Sequence, residues 1–293
     1  MNDKYHEQVS KSKVTTDDAA VKAAVEAILA KREGNRNPEV LKKIFNCIDL
    51  TTLNATDSPQ SVARFTERVN EFESTYPDLP PVAAICVYPN FSQVVRTVLD
   101  VSEVNIACVS GGFPSSQTFE EVKIAETALA VDGGADEIDI VLNLGNFLDD
   151  DWEEVCDEIT EQKHATRDGV LKVILETGAL KTAENIRNAS ILSMYSDADF
   201  IKTSTGKGYP GASFEAAYVM CQCIKEYYEQ TGRKVGFKTA GGVSTTDDAL
   251  GYYTIVKEVL GEEWLDNEYF RIGASRLANK LLSDILGQEV AFF

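Results

Sequence analysis

Histidine and long apolar runs are the features that this chain of 293 residues lacks most clearly. Its two histidines, His6 and His164, lie in a polar N-terminal stretch and in a charged stretch of helical pattern. A catalytic zinc site usually draws on several His or Cys ligands, so we expect no metal ion and no cofactor. No apolar run approaches the roughly 20 residues of a membrane span, and the N-terminus lacks the apolar core of a signal peptide. We therefore expect no membrane partner.

Positive charge is also scarce. The chain has 28 Lys and Arg residues against 47 Asp and Glu residues, which gives a formal net charge of -19. Nucleic acids and anionic membranes require a basic face, so neither is expected as a partner. An anionic substrate could enter only through a local concentration of lysines.

The cysteines show neither a CxxC pair nor the spacing of a disulfide framework. Most lie in apolar stretches, as buried free thiols do, and such thiols fit a reducing cytoplasm. We therefore expect a cytoplasmic protein, in which Cys86 is a thiol of the core or of a pocket wall rather than a nucleophile. The six are Cys47, Cys86, Cys108, Cys156, Cys221 and Cys223.

The chain contains no linker rich in Pro, Gly or Ser, so we predict a single catalytic domain over residues 40–293. Residues 1–39 form an N-terminal extension, and its polar beginning, to about residue 15, is expected to be loosely attached. The segment DDAAVKAAVEAILAKREG that follows has an apolar stripe at helical spacing, with Asp17 or Thr16 as the N-cap. We expect this amphipathic helix to plug the bottom of the domain or to cover a subunit face.

From residue 40 onward, short apolar runs alternate with longer stretches of helical period. Near-continuous apolar strands separated by helices are typical of parallel sheets that are covered on the outside. Eight such units predict a (β/α)8 TIM barrel, with a doubly wound open sheet as the alternative. The eight runs are IFNCIDLT, VAAICVYP, NIACVSGG, EIDIVLNL, LKVILETG, FIKTSTG, VGFKTAGG and YFRIGAS.

Three lysines stand in consecutive runs of this series: Lys172 in LKVILET, Lys202 in DFIKTSTGK and Lys238 in VGFKTAGG. Lysine is seldom buried because its charge is costly to desolvate, so three strand lysines indicate a shared pocket. A lysine crowded by other cations in a partly dry site has a lowered pKa, and its neutral amine can attack a carbonyl. The pattern therefore predicts a Schiff-base enzyme.

Acidic and hydroxyl side chains fall near the same end of the predicted strands, where barrel enzymes carry their active sites. Asp49 and Thr51 close the first run, and Asp139 lies inside the fourth. A carboxylate beside lysines can relay protons through water, which makes Asp139 a candidate acid–base group. Lys172 either tunes the field or only balances Asp139, and the sequence does not separate these alternatives. We expect Glu176 to form a structural pair or a cap.

Hydroxyls, glycines and additional charge predict a phosphate-bearing sugar as the ligand. Thr205 supplies a hydroxyl and Lys207 a charge, although KTSTGK lacks the spacing of a P-loop. Gly241 and Gly242 after the seventh run either form a turn or present backbone N–H groups to phosphate. Ser275 ends the eighth run and opens a helix. Together with the glycine pair after the seventh run, it favours the phosphate interpretation.

With these motifs in order, the chain resembles the deoxyribose-phosphate aldolases, a family of class I aldolases with a TIM-barrel fold. The resemblance runs from about Phe45 to Gly287 and rests on IDLTTLN, AAICVYP, EIDIV, LKVILETG, DFIKTSTGK, GFKTAGGV and RIGAS. It implies a lyase that reversibly cleaves 2-deoxy-D-ribose 5-phosphate to D-glyceraldehyde 3-phosphate and acetaldehyde, in deoxyribonucleoside catabolism.

The resemblance also implies roles for individual residues. Lys202 matches the Schiff-base lysine, Lys238 the lysine that perturbs it, and Asp139 the proton-relay acid. Two further groups are implied to contact the sugar phosphate and to line the same pocket. The phosphate contacts are Thr205, Lys207, Gly241, Gly242 and Ser275, and the pocket residues are Asp49, Thr51, Cys86 and Lys172.

The chain departs from the family pattern at three places. Its N-terminal extension, up to about residue 40, is longer than in compact bacterial members. Arg276 stands where some relatives carry a second serine after GAS. The sequence ends in AFF, without the terminal tyrosine that assists proton transfer in some members, so enolisation is expected to depend on Asp139, the lysines and water. Another class I barrel lyase and a non-catalytic sugar-phosphate sensor are the alternative functions. A homodimer is compatible with the sequence, which does not fix the oligomeric state.

Overall fold

The computed structural model describes residues 4–293, in which eight parallel strands close into a barrel. The strands follow one another around the barrel in chain order, and β8 pairs with β1. This confirms the predicted (β/α)8 barrel and excludes the open doubly wound sheet. The strands are β1 Ile48–Thr51, β2 Ala84–Val87, β3 Asn105–Val109, β4 Glu137–Val141, β5 Val170–Ile174, β6 Phe200–Lys202, β7 Gly236–Ala240 and β8 Phe270–Ala274.

Helices cover the outside of this barrel. Their starts follow local signals: α4 has Ser58 as its N-cap and Pro59 in its first turn, and Thr245 and Asp248 form a reciprocal capping box at α12. The helices are α1 Lys4–Lys11, α2 Asp18–Leu29, α3 Pro38–Asn46, α4 Pro59–Thr75, α5 Ser92–Val98, α6 Glu120–Asp132, α7 Leu144–Leu148, α8 Trp152–Thr166, α9 Thr177–Leu180, α10 Ala183–Tyr195, α11 Phe214–Thr231, α12 Thr246–Val259 and α13 Leu277–Leu286.

Alternation along each strand separates an apolar layer from a charged interior. In β4, Ile138 and Ile140 belong to the apolar core that the strands share with the helices. Glu137 and Asp139 are also fully buried, but they lie on the opposite face, inside the barrel. The same strand therefore stabilises the fold on one face and supplies charge on the other.

The first strand begins later than the apolar run IFNCIDLT indicates. Asn37 caps α3 by accepting a backbone N–H, and Pro38 occupies the first turn of that helix. Ile44 and Phe45 consequently lie on the buried face of a helix, and β1 starts only at Ile48. Apolar periodicity over so short a stretch does not separate a helix end from a strand start.

The N-terminal extension is attached more firmly than its polar composition indicates. Tyr5 and Val9 are buried because they lie one turn apart on the same face of α1. The expectation of loose attachment is therefore wrong for residues 4–11, and for residues 1–3 it lies outside the described residues. The predicted amphipathic helix is α2, which Asp17 caps and which packs against α11 and α12 on the flank of the barrel.

The C-terminal tail folds back along α13. Asn279 accepts hydrogen bonds from the backbone N–H groups of Phe292 and Phe293, each at 2.9 Å, and donates to the Phe293 carbonyl at 2.8 Å. The two rings pack on Phe45 and Phe72, in α3 and α4. The tail thereby completes a part of the outer apolar core.

None of the six cysteines forms a disulfide, and all six are buried. Burial raises the pKa of the Cys86 and Cys108 thiols, which favours their unreactive protonated form. None of the helices between residues 4 and 293 combines the length and apolarity that a membrane span requires.

Candidate active site

Seven charged side chains meet inside the barrel, and each of these residues is at most 4% exposed. Strand pairing brings them together, because Asp139 stands beside Lys172 and Lys202 stands beside Lys238 on neighbouring strands. All three lysines singled out from the sequence therefore belong to one group, which we call the charged cluster. Its members are Asp49, Glu137, Asp139, Lys172, Lys202, Lys238 and Arg271.

Asp139 is the centre of the charged cluster. Its Oδ2 accepts hydrogen bonds from Lys202 Nζ at 2.8 Å and from Lys238 Nζ at 2.7 Å. Its Oδ1 accepts from Lys172 Nζ at 2.8 Å. One carboxylate therefore contacts all three lysines, and two of the nitrogens share a single oxygen atom.

Arg271 and Glu137 were not expected from the sequence. Arg271 donates to Asp49 Oδ1 and to Glu137 Oε1, both at 2.8 Å, and Lys172 lies 2.5 Å from Glu137 Oε2. A usable signal was present for Glu137, because it precedes Asp139 by two residues and therefore points to the same side of the strand. These contacts anchor the lower part of the charged cluster.

The three lysines differ in how the charged cluster shifts their pKa. Burial lowers the pKa of Lys202, and the positive charge of Lys238 lowers it further, against the attraction of Asp139. Burial also acts on Lys172 and Lys238, but attraction to carboxylates outweighs it and raises their pKa values. Burial alone would raise the pKa of Asp139, yet the lysines hold it well below its ordinary value. Lys202 is thus the lysine most easily made neutral, while Asp139 stays ionised.

The charge count of the cluster favours the same state. It contains four cationic side chains and three carboxylates. Because an unbalanced buried charge is costly, loss of one proton from Lys202 leaves the two signs equal and is favoured by the whole group. Each carboxylate is already paired with a cation, and among residues 4–293 no group of three or more His, Cys, Asp and Glu side chains is placed to hold a metal ion.

A cavity of about 210 Å³ opens at the C-terminal ends of β1, β6, β7 and β8. Lys202 is the only member of the charged cluster on its wall, so its amine is the group that a ligand would meet. The wall also contains Thr51, Thr205, Lys207, Gly241, Gly242 and Ser275, which the sequence singled out, together with Arg276.

The glycine pair has the backbone conformation of a turn and also lines the cavity, so a turn here is compatible with a contact to phosphate. Gly241 and Gly242 have φ values of 88° and 84°, in the region that favours glycine. A Cβ atom at Gly241 would lie 3.1 Å from Gly211 Cα and 3.2 Å from Ser204 Cβ. The close approach leaves room only for a backbone, and the turn presents that backbone to the cavity.

Lys207 crosses the cavity mouth and fastens the loop that carries it. Its Nζ donates to the carbonyl of Leu53, which follows β1, at 2.6 Å. The loop after β6 is thereby joined to the loop after β1. Lys207 is also one of the residues that line the cavity.

The four residues implied to line the pocket occupy different positions. Thr51 lines the cavity, and its hydroxyl donates to the Asp49 carbonyl at 2.8 Å. Asp49 and Lys172 do not reach the cavity but lie deeper, inside the charged cluster. Because Lys172 bonds two carboxylates, its position favours charge balance over field tuning. Cys86 belongs to a small apolar cluster beside the lysines, together with Val109 and three other residues.

Known proteins are similar to this chain in sequence and in fold. Residues 44–253 match the family model described as DeoC/LacD family aldolase. A deoxyribose-phosphate aldolase of Homo sapiens is 39% identical over 291 residues, which cover 94% of this chain and 89% of the relative. A Caenorhabditis elegans protein that carries the same name provisionally is 42% identical over 271 residues, with 92% and 89% covered.

A solved structure supports the fold. The tetrameric deoxyribose phosphate aldolase from Aeropyrum pernix superimposes with a TM-score of 0.67 at 23% identity, over 87% of this chain and 96% of its own. The family model spans most of the barrel, and the curated relatives match along nearly the whole chain. The chain therefore belongs to the DeoC/LacD family of aldolases.

Proposed function

We propose that this aldolase reversibly cleaves 2-deoxy-D-ribose 5-phosphate into D-glyceraldehyde 3-phosphate and acetaldehyde through a Schiff base on Lys202, in deoxyribonucleoside catabolism. One observation carries the proposal: of the three lysines in the charged cluster, only Lys202 has a lowered pKa, and only Lys202 lines the cavity. The names of the curated relatives support the substrate.

The reaction begins when the neutral amine of Lys202 attacks C1 of the open-chain aldehyde and water is lost to give a protonated imine. Acetaldehyde retains C1 and C2, so the bond that breaks is C2–C3. The C3 hydroxyl loses its proton, C3 becomes the carbonyl carbon of glyceraldehyde 3-phosphate, and the bonding electrons pass into an enamine. Asp139 relays protons to and from these groups through water. Protonation of the enamine at C2 and hydrolysis then release acetaldehyde and Lys202.

Other residues of the cavity wall suit the phosphate group. Lys207 and Arg276 bring positive charge to its wall, and the backbone turn at Gly241 and Gly242 and the residue Ser275 face the same space. A dianionic phosphate needs such a local set of cations and donors in a chain with a net charge of -19. In this arrangement Lys202 and the phosphate groups stand at two ends of one small ligand.

The extension and the compartment enter the proposal as well. We assign residues 1–39 to an extension and residues 40–293 to the catalytic domain, since no residue between 4 and 39 contributes to the cavity wall. Six buried cysteines that form no disulfide support a cytoplasmic location. A homodimer stays a prediction, which light scattering in solution can test.

Borohydride reduction in the presence of acetaldehyde tests the proposal. We expect an N-ethyl group on Lys202 by peptide mass spectrometry, and no labelling in Lys202→Ala. The activity of that variant in a coupled assay for glyceraldehyde 3-phosphate should fall at least about 10³-fold, because the nucleophile is gone. Lys225→Ala, which removes an exposed lysine of α11, is the matched control and should keep both labelling and activity. An adduct on Lys172 or Lys238, or full activity of Lys202→Ala, would contradict the assignment.

A further inference from the structure

Glu176 is a buried carboxylate that the charged cluster and the proposed chemistry do not use. It lies two residues beyond the end of β5, immediately before α9, and is 2% exposed. Its backbone has φ 55° and ψ 59°, a left-handed conformation that is uncommon for a residue with a side chain. Strain of this kind persists where the surrounding structure fixes it, often beside a functional site.

The carboxylate of Glu176 is committed to one neighbour. Its Oε1 accepts the backbone N–H of Thr205 at 3.2 Å, and its Oε2 accepts the Thr205 hydroxyl. No ion pair joins Glu176 to a cation within the described part of the chain. Burial raises the pKa of Glu176, although the Thr205 hydrogen bonds and the charge of Lys202 oppose the shift. Burying a charge without a counter-ion is costly. The cost indicates that the contact between Glu176 and Thr205 has a function.

That contact controls a loop of the cavity wall. Thr205, Gly206 and Lys207 all line the cavity, and Gly206 lies beside Gly241, one of the proposed phosphate contacts. The Thr205 hydroxyl oxygen accepts the backbone N–H of Lys207 at 3.0 Å, while its proton is directed to Glu176. Glu176, Thr205 and Lys207 thus form a chain of hydrogen bonds from the end of β5 to the cavity mouth.

A second contact fixes the same connection on the backbone. The N–H of Thr177, the residue after Glu176, donates to the Thr203 carbonyl at 2.9 Å. The strand ends of β5 and β6 are therefore joined on both sides of Lys202. The side chain of Glu176 extends this pairing beyond the sheet, to residues that no strand holds.

We propose that Glu176 is a positioning residue for the phosphate end of the site: its carboxylate holds the loop from Thr205 to Lys207 in the place where that loop meets the substrate phosphate. The inference rests on the proposed function. It follows that phosphate recognition and imine formation are separable: loss of Glu176 weakens recognition of the phosphorylated substrate and leaves imine formation at Lys202 intact.

The experiment compares Glu176→Gln with the wild type in two assays. Steady-state kinetics give KM and kcat for deoxyribose 5-phosphate, and borohydride trapping gives the rate of imine formation with acetaldehyde, which has no phosphate. We expect KM to rise about tenfold in Glu176→Gln, with a trapping rate within about twofold of the wild type, because only the phosphate end is disturbed. Glu184→Gln on α10, whose side chain is 66% exposed, is the matched control and should change neither value.

Thr205→Val removes the other partner of the contact. It should raise KM in the same way, and the double variant should add little to either single change, because all three remove the same contact. If Glu176→Gln does not fold, Glu176→Asp carries the test, because its shorter side chain withdraws the carboxylate from Thr205 and should raise KM in the same way. An unchanged KM in a folded variant overturns the inference, and so does a trapping rate that falls as much as kcat/KM. Absence of an adduct in the wild type would instead contradict the proposed function.

Discussion

Three lysines of identical chemistry lie inside one barrel, and their surroundings separate them. Lys172 and Lys238 each contact two carboxylates at close range, which raises their pKa values. Lys202 contacts only Asp139, so burial prevails and its pKa is lowered. The number of carboxylates around each nitrogen therefore decides which lysine can act as a nucleophile.

The immediate surroundings of Arg276 also determine what its charge can do. It is exposed, lines the cavity and forms no ion pair within residues 4–293, so its charge is available to a phosphate. We expect Arg276→Ser to raise KM for deoxyribose 5-phosphate about tenfold, equivalent to about 1.4 kcal/mol, with little change in kcat. The effect should shrink as salt is added, because exposed charges are screened.

The control for this prediction lies one turn further along α13. Lys280 is 55% exposed at its side chain and does not line the cavity, so Lys280→Ser should leave KM unchanged. Equal KM values for Arg276→Ser and the wild type at low salt would show that the guanidinium does not contact the phosphate.

Residue chemistry made part of this site readable from the sequence. Lys202 and Asp139 stand out because a charge inside an apolar strand is rare. Glu176 could not be found in this way, since a carboxylate after a strand is ordinary in sequence. Its importance depends on a left-handed backbone and on a partner 29 residues away, and neither leaves a local pattern.

At the scale of elements, periodicity predicted the strands better than the chain ends. Eight apolar runs gave eight strands, because each parallel strand is buried on both faces. The helix α1 was not predicted, because only two of its eight residues are buried. The helix contacts α8 and α10, which lie far along the chain. The docking of the tail likewise depends on Asn279, whose role becomes visible only when α13 and the tail lie side by side.

The tail is expected to contribute to stability and not to catalysis. Phe292 is 9% exposed and packs on Phe72 and Tyr76, away from the cavity wall. We expect Phe292→Ala to lower the free energy of unfolding by about 2 to 3 kcal/mol, through lost burial and an unfilled space. Urea unfolding measures this change, while kcat and KM should stay at their wild-type values.

Phe119→Ala is the matched control for the tail. Phe119 is 77% exposed, so the same substitution should alter the free energy of unfolding by no more than about 0.5 kcal/mol. If both variants lost the same free energy of unfolding, the prediction that the docked tail stabilises the fold would be wrong.

At the scale of the whole molecule, the charged cluster makes stability depend on pH. Burial alone would raise the pKa of Asp49, but attraction to Lys238, Arg271 and Lys172 outweighs it and lowers the pKa. A carboxyl with a lowered pKa in the folded state stabilises the protein above its ordinary pKa of about 3.9, and this contribution is lost as the pH falls further.

Asp49→Asn tests this dependence. At pH 7 the variant should lose about 3 to 5 kcal/mol of unfolding free energy, because Lys238 and Arg271 keep their charge and lose a partner. The difference from the wild type should narrow below about pH 4, where the unfolded carboxyl takes up a proton. Urea unfolding between pH 7 and pH 3 measures both, with the exposed Asp100→Asn as control. A difference that did not vary with pH would argue against an ionised Asp49.

When Lys202 is neutral, the charged cluster holds equal numbers of cations and carboxylates, and this balance affects turnover. In the proposed mechanism, the imine restores a positive charge at that nitrogen, and the barrel interior then holds one cation more than it has anions. This surplus raises the energy of the imine relative to the uncharged enamine and the free amine. Carbon–carbon cleavage, which gives the enamine, and hydrolysis, which gives the free amine, both remove the surplus charge. The protonated imine is therefore not expected to accumulate.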